Sequence, residues 1–180
     1  MIALSILIHL MIPQSLAQSP LDGLWKQDCR SNTIRTESFA GPSVTLEENY
    51  FTDAACTKPI MQFKNTGTYI VINEQMDFRF VSVSTTLQMD AMVDDFNRRQ
   101  VCGFTDWKIN EEKELAGLIC RFFNEATNTQ VPKTDDMRYG IYKIKADYLF
   151  LGQLTPTKNA LTPEARPTEW NLQFYIKAQE

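Results

Sequence analysis

The chain has 180 residues, 43% hydrophobic and 22% charged, and its 18 Lys+Arg against 22 Asp+Glu leave a formal charge of −4. That balance excludes a disordered chain, and the lack of a basic block argues against nucleic acid or an anionic membrane surface as a partner. The one histidine, His9, lies in an apolar N-terminal run, so Ser-His-Asp and Cys-His pairs and His-ligated metals are not expected beyond it.

Residues 2–12 are apolar apart from Ser5 and His9, and Pro13 follows. Ser15-Leu16-Ala17 then places small residues on either side of the penultimate position before a cut after Ala17, the pattern of a cleavable export signal. The run is shorter than the roughly 20 residues that a bilayer span needs. No Lys or Arg precedes it, and the rival reading is a buried N-terminal helix or strand. Removing residues 1–17 leaves a single domain, 18–180, long enough to bury one core. No later segment is long and apolar enough to cross a membrane, so the expected location is secreted or periplasmic.

Most of the remaining segments read as strands separated by turn residues. Residues 44–51 form the first, and 67–72 open a second run rich in β-branched and aromatic side chains. Residues 77–87 alternate, with Phe78 and Phe80 on one side and Arg79 between them. Met89, Met92, Val93 and Phe96 recur at helical spacing, and Asp94 and Asp95 stand four residues before Arg98 and Arg99, predicting a short helix over 89–99. Alternation returns over 115–123, where Leu118, Cys120 and Phe122 share a face. Residues 139–144 and 148–154 flank Lys145-Ala146-Asp147 as a hairpin, and Leu172, Phe174 and Ile176 make a last two-residue repeat. Eight or more short strands and one helix predict a mainly β protein, an antiparallel open barrel or half-barrel. Such a sheet needs its concave face filled by side chains or by a ligand.

Four cysteines follow the leader: Cys29, Cys56, Cys102 and Cys120. An even number in an exported chain predicts two disulfides, and of the three possible pairings sequence neighbours favour Cys29–Cys56 and Cys102–Cys120. Loops of that length contribute roughly 3–4 kcal/mol each in the chain-entropy description. The rival reading, a four-cysteine metal site, normally uses close pairs, and no C-x-x-C is present for that role or for redox catalysis.

Several motifs stand in a recognisable order. Leu21-Asp22-Gly23-Leu24-Trp25 opens the domain, and Cys29 comes four residues after Trp25. Tyr50-Phe51-Thr52-Asp53 leads to Cys56-Thr57-Lys58-Pro59, and Gly67 begins a strand. Cys102-Gly103 and Trp107 precede Cys120, and Tyr148-Leu149-Phe150-Leu151-Gly152 is followed by Arg166-Pro167-Thr168. This order resembles the extracellular domain of the adenomatosis polyposis coli down-regulated family of Wnt inhibitors, over most of residues 21–170. The resemblance implies a lipocalin-like β-barrel with an apolar cavity able to hold an acyl chain; the fold and ligand class are carried over, the signalling role is not. Calycins commonly set a Trp against a late Arg at the closed end, which implies a structural Trp25–Arg166 contact.

The aromatic residues Phe63, Tyr69, Phe78, Phe80, Phe122, Tyr142 and Phe150 lie in strand-like runs and are the candidates to line a cavity, plain core packing being the alternative for each. Met61, Met76, Met89 and Met92 suit a flexible chain or fill core gaps. Carboxylates cluster at Asp94/Asp95, Glu111/Glu112/Glu114 and Asp135/Asp136, a pattern usual for solvated turns. The motifs of serine hydrolases, β-lactamases, P-loops and zinc peptidases are absent, so no catalytic residue, metal or cofactor is expected. The expected function is non-enzymatic: an exported barrel holding a hydrophobic small molecule or a lipid-modified protein. A filled barrel serving as an interaction module is the alternative, and a carboxylate-based hydrolase ranks third.

Overall fold

Strand pairing follows the alternation of side chains along the chain in the computed structural model, which describes residues 19–123 and 126–179. The expected export leader, with His9, lies outside these residues. The strands are β1 (Gly23–Lys26), β2 (Thr33–Ala40), β3 (Ser43–Phe51), β4 (Pro59–Ile72), β5 (Gln75–Leu87), β6 (Glu112–Glu114), β7 (Ile119–Cys120), β8 (Thr129–Gln130), β9 (Met137–Lys145), β10 (Tyr148–Gly152) and β11 (Trp170–Lys177). Every pairing between them is antiparallel, in the order β4-β3-β2-β1-β11-β10-β9-β5, and β5 returns to pair with β4. The ring is a closed eight-stranded barrel of lipocalin-like form with one helix, and β6 pairs with β5 outside the ring.

Three two-residue hairpins set the register: Gly41-Pro42, Asn73-Glu74 and Ala146-Asp147. The first residue of each has a positive φ, at 56°, 58° and 53°, as the strand twist requires. Glycine and asparagine take that conformation readily; alanine does not. Within the β4–β5 ladder the register shifts between Thr66 and Gly67. A Cβ on Gly67 would sit 2.2 Å from the Arg79 carbonyl oxygen and 2.6 Å from the Phe78 ring.

One end of the barrel is closed by Leu21, Trp25, Phe39, Val44, Tyr69 and Leu149, all buried. Trp25 donates from Nε1 to the Leu21 carbonyl at 2.6 Å, which ties the segment before β1 to the floor. At the other end, the helix α1 (Asp90–Arg99) packs Phe96 edge-on against Trp107. Asn97 holds Trp107 in place by accepting from its backbone N–H at 2.7 Å and donating to its carbonyl at 3.0 Å. Asp95 pairs with Arg98 and Arg99 along the helix.

Both disulfides form as the neighbour rule expects. Cys29–Cys56 joins the β1–β2 connection to the β3–β4 connection, and Cys102–Cys120 ties the turn after α1 to β7. Among the described residues no helix is long and apolar enough to cross a membrane.

Residues 115–123 depart from the expected strand. Leu115, Cys120 and Phe122 are buried, but only Ile119–Cys120 pairs, with β8. The alternation records which side chains meet the core while the backbone turns and is anchored by the disulfide. The strand β2, absent from the expected elements, is paired over its whole length with β3.

Candidate functional site

Period-two burial decides what the barrel contains. On β2, Glu37 and Phe39 are buried beside the half-buried Arg35. On β3, the strand opposite, Leu46 pairs with Glu37 and Glu48 pairs with Arg35. Tyr175 on β11 is buried, and Arg138 enters from β9. The middle of the barrel therefore carries charged and phenolic groups above an apolar floor.

Glu37, Phe39, Leu46 and Arg138 line a cavity of about 300 Å³. Leu46, Met76, Phe78, Phe80, Leu151 and Leu154 contribute most of its wall, and Glu37 and Arg138 are the ionisable residues that line it. The wall is interrupted on one side. β9 and β10 part after Tyr142 and Leu151, and the loop between β10 and β11 fills the gap, with Ala160 accepting from the Tyr139 N–H at 2.9 Å. Ala160 and Pro167 of that loop line the cavity.

Glu37 is 5% exposed, and among the described residues its Oε2 has no hydrogen-bond partner. Burial pushes its carboxyl up to about 7, opposed in part by a hydrogen bond from Tyr175. The Tyr175 hydroxyl is pushed far above the usual phenol range, by burial first and then by Glu37. Beside this pair, Arg35 donates from Nε to Glu48 Oε1, and the Tyr50 hydroxyl donates to Glu48 Oε2 at 2.8 Å. Burial opposes the charge on Arg35, but the Glu48 contact outweighs it and its value rises. Arg138 has no carboxylate within ion-pair distance among the described residues; its guanidinium lies 5.2 Å from the Phe80 ring centroid and donates to the Met137 carbonyl. Burial lowers its value, with Asp136 partly offsetting the effect.

Two further hollows adjoin the cavity. One of about 290 Å³ lies beyond Phe80, between Phe63, Val83, Leu115 and Phe122. The other, of about 340 Å³, is of mixed character, with Gln27, Arg35, Glu48, Gln173 and Tyr175 beside Leu151 and Leu154. The Arg35–Glu48–Tyr50 group stands between these two hollows, with Glu48 lining both.

Of the aromatic candidates, Phe78 and Phe80 line the central cavity, and Phe63 and Phe122 the second hollow, their rings edge-on at 4.7 Å. Tyr69 is buried against Phe39 in the floor, and Tyr142 is half-buried against the core. Phe150 is corrected: it stands on the outer wall, 5.8 Å from Phe174 and 5.2 Å from Lys143 Nζ. Leu149 and Leu151 take the inward positions of β10, and alternation puts Phe150 outside.

The expected Trp25–Arg166 contact is also corrected. Trp25 pairs with Lys177 across β1 and β11, and Lys177 Nζ lies 5.2 Å from its ring. Arg166 instead braces the loop, donating from Nη1 to Asp77 Oδ1 and to the Gly140 carbonyl, each at 2.6 Å, over the Tyr139 ring. The acidic clusters serve local structure: Glu114 accepts from the Val83 and Ala116 N–H groups, and Asp136 from that of Lys133. Glu37, Arg35, Arg138 and Tyr175 were missed as site residues. The available signal was the Thr33, Arg35, Glu37, Phe39 repeat, which conceals itself because its inward members include charges. No protein-family model matches the chain, and no match is found among curated proteins.

Proposed function

We propose that the protein is a non-enzymatic carrier that holds an apolar, acyl-type small molecule inside the barrel. The observation that carries this reading is the cavity of about 300 Å³ walled by aliphatic and aromatic side chains, with Arg138 available to an anionic head. That volume lies at the small end of the range for ligand pockets. Affinity would come from burying chain methylenes, at about 0.8 kcal/mol each. Two disulfides suit an exported, oxidising location. Native mass spectrometry of protein purified from its own host, followed by organic extraction, tests the reading. An acyl species near unit stoichiometry is expected, as is displacement of a fluorescent fatty acid that Leu151→Trp abolishes. A clean apo mass with no displacement overturns it.

A second reading, a protein-interaction module, draws on the outer wall. Leu172, Phe174 and Ile176 are 89%, 36% and 38% exposed along β11, with Tyr148 edge-on to Phe174. Patches of this kind mark partner surfaces. A co-purifying protein that Leu172→Glu releases would favour it.

A further inference from the structure

Resting on the carrier reading, the geometry points to a more specific ligand: we propose that it is a hydroxylated acid, its anionic head at Arg138 and its hydroxyl donating to Glu37 Oε2.

The two groups stand on opposite sides of the barrel. In the ring order β2 and β9 are separated by four steps in either direction, so Glu37 and Arg138 face the cavity from across its width. Between them the wall is apolar, with Leu46, Met76, Phe78 and Leu151 available to a hydrocarbon body. A ligand lying across the barrel meets a cation at one side and a buried acceptor at the other.

Among the described residues no donor reaches Glu37 Oε2. Buried polar atoms in folded proteins are almost always paired, and an exception calls for an explanation such as a ligand. Of the nearby donors, Arg35 Nε is turned to Glu48 and Trp25 Nε1 to Leu21. Besides burial, Tyr175 is the one group that acts on the Glu37 carboxyl, and Oε2 itself has no partner among the described residues.

The chemistry of the donor follows from what surrounds it. A second carboxylate at Glu37 would meet like charge in a desolvated site whenever Glu37 is ionised, which disfavours the plain head-inward orientation of an acid. An ammonium would enter a barrel that already holds Arg35 and the unpaired Arg138. A neutral hydroxyl has neither cost, and it donates equally to an ionised or a protonated carboxyl, whose carbonyl oxygen still accepts.

The test compares ω-hydroxydecanoate, decanoate and decanol by displacement of a fluorescent fatty acid, on wild type and on Glu37→Leu, Glu37→Gln and Arg138→Leu. ω-Hydroxydecanoate is expected to bind wild type about tenfold more tightly than decanoate. Glu37→Leu should erase that difference while keeping decanoate binding, and Glu37→Gln, which retains an acceptor oxygen, should preserve it. Arg138→Leu should weaken both acids and leave decanol unchanged. Equal binding of the two acids to wild type, or a hydroxyl advantage that survives Glu37→Leu, overturns this inference while the carrier reading stands. If none of the three displaces the probe from wild type, the carrier reading falls with it. Thermal melts of each variant report its folding independently.

Discussion

The Glu37 carboxyl and the Tyr175 hydroxyl meet inside the barrel from strands on either side of β1, at 5% and 6% exposure. Their contact has a consequence for stability against pH. Glu37 titrates near 7 in the fold against an ordinary 4.5, because burial penalises its charged form. Arg35, Glu48 and Arg138 also face this region, yet after burial only Tyr175 acts on the Glu37 value. The folded state therefore holds the proton more tightly than the unfolded chain. Its stabilising contribution is complete below 4.5, declines as pH rises through the folded value, and is gone above it. About 3 kcal/mol is at stake. The difference in unfolding free energy between wild type and Glu37→Gln should shift by that order across this window; a constant difference refutes the assignment.

Gly67→Ala should destabilise the barrel by about 2–3 kcal/mol. The added methyl would approach the Arg79 carbonyl to 2.2 Å, and a backbone atom cannot step aside as a flexible side chain does. Chemical denaturation of the variant measures the loss, and an unchanged midpoint contradicts the close contact of Gly67 with Phe78 and Arg79 on β5.

Ala146→Gly should do the opposite. Ala146 holds a φ of 53° in the β9–β10 turn, where its Cβ is strained. Relief of that strain exceeds the extra entropy glycine gives the unfolded chain, for a net gain of about 0.5–1 kcal/mol. A higher thermal midpoint is the expected reading.

Replacing Cys102 and Cys120 together by serine should cost about 3 kcal/mol, since the bridge closes a loop of 18 residues in sequence. The loss should appear as a lower denaturation midpoint, with β-sheet circular dichroism retained at low denaturant. Loss of the sheet signal in native buffer would show instead that the barrel cannot form without this bridge.

The legible parts of the fold were those where alternation and hydrophobicity agree. β5 declares itself through Phe78 and Phe80, and α1 through Met92, Val93 and Phe96. β2 does not, because the barrel interior is partly ionic and Arg35 and Glu37 occupy positions where a core strand would show aliphatics. Alternation also divides a strand into two faces without saying which is inside. Phe150 and Leu151 are neighbours of similar apolarity, and only the ring of partners turns Leu151 inward. The same ambiguity governs β11, whose apolar residues Leu172, Phe174 and Ile176 face out while Tyr175 faces in. The orphaned oxygen of Glu37 depends on side chains from β1, β2 and β11 together, which no local pattern in the chain encodes.

The pairing of β1 with β11 makes the seam of the barrel a bond between the first strand and the last. A chain still emerging from a ribosome or a channel has β1 and β10 as bare edges until residues 170–177 arrive. Exposed strand edges recruit other strands. Delivery of the eight residues of β11 is thus the step that closes the sheet into a vessel, and a ligand present at that moment is enclosed by the same event that removes the edges.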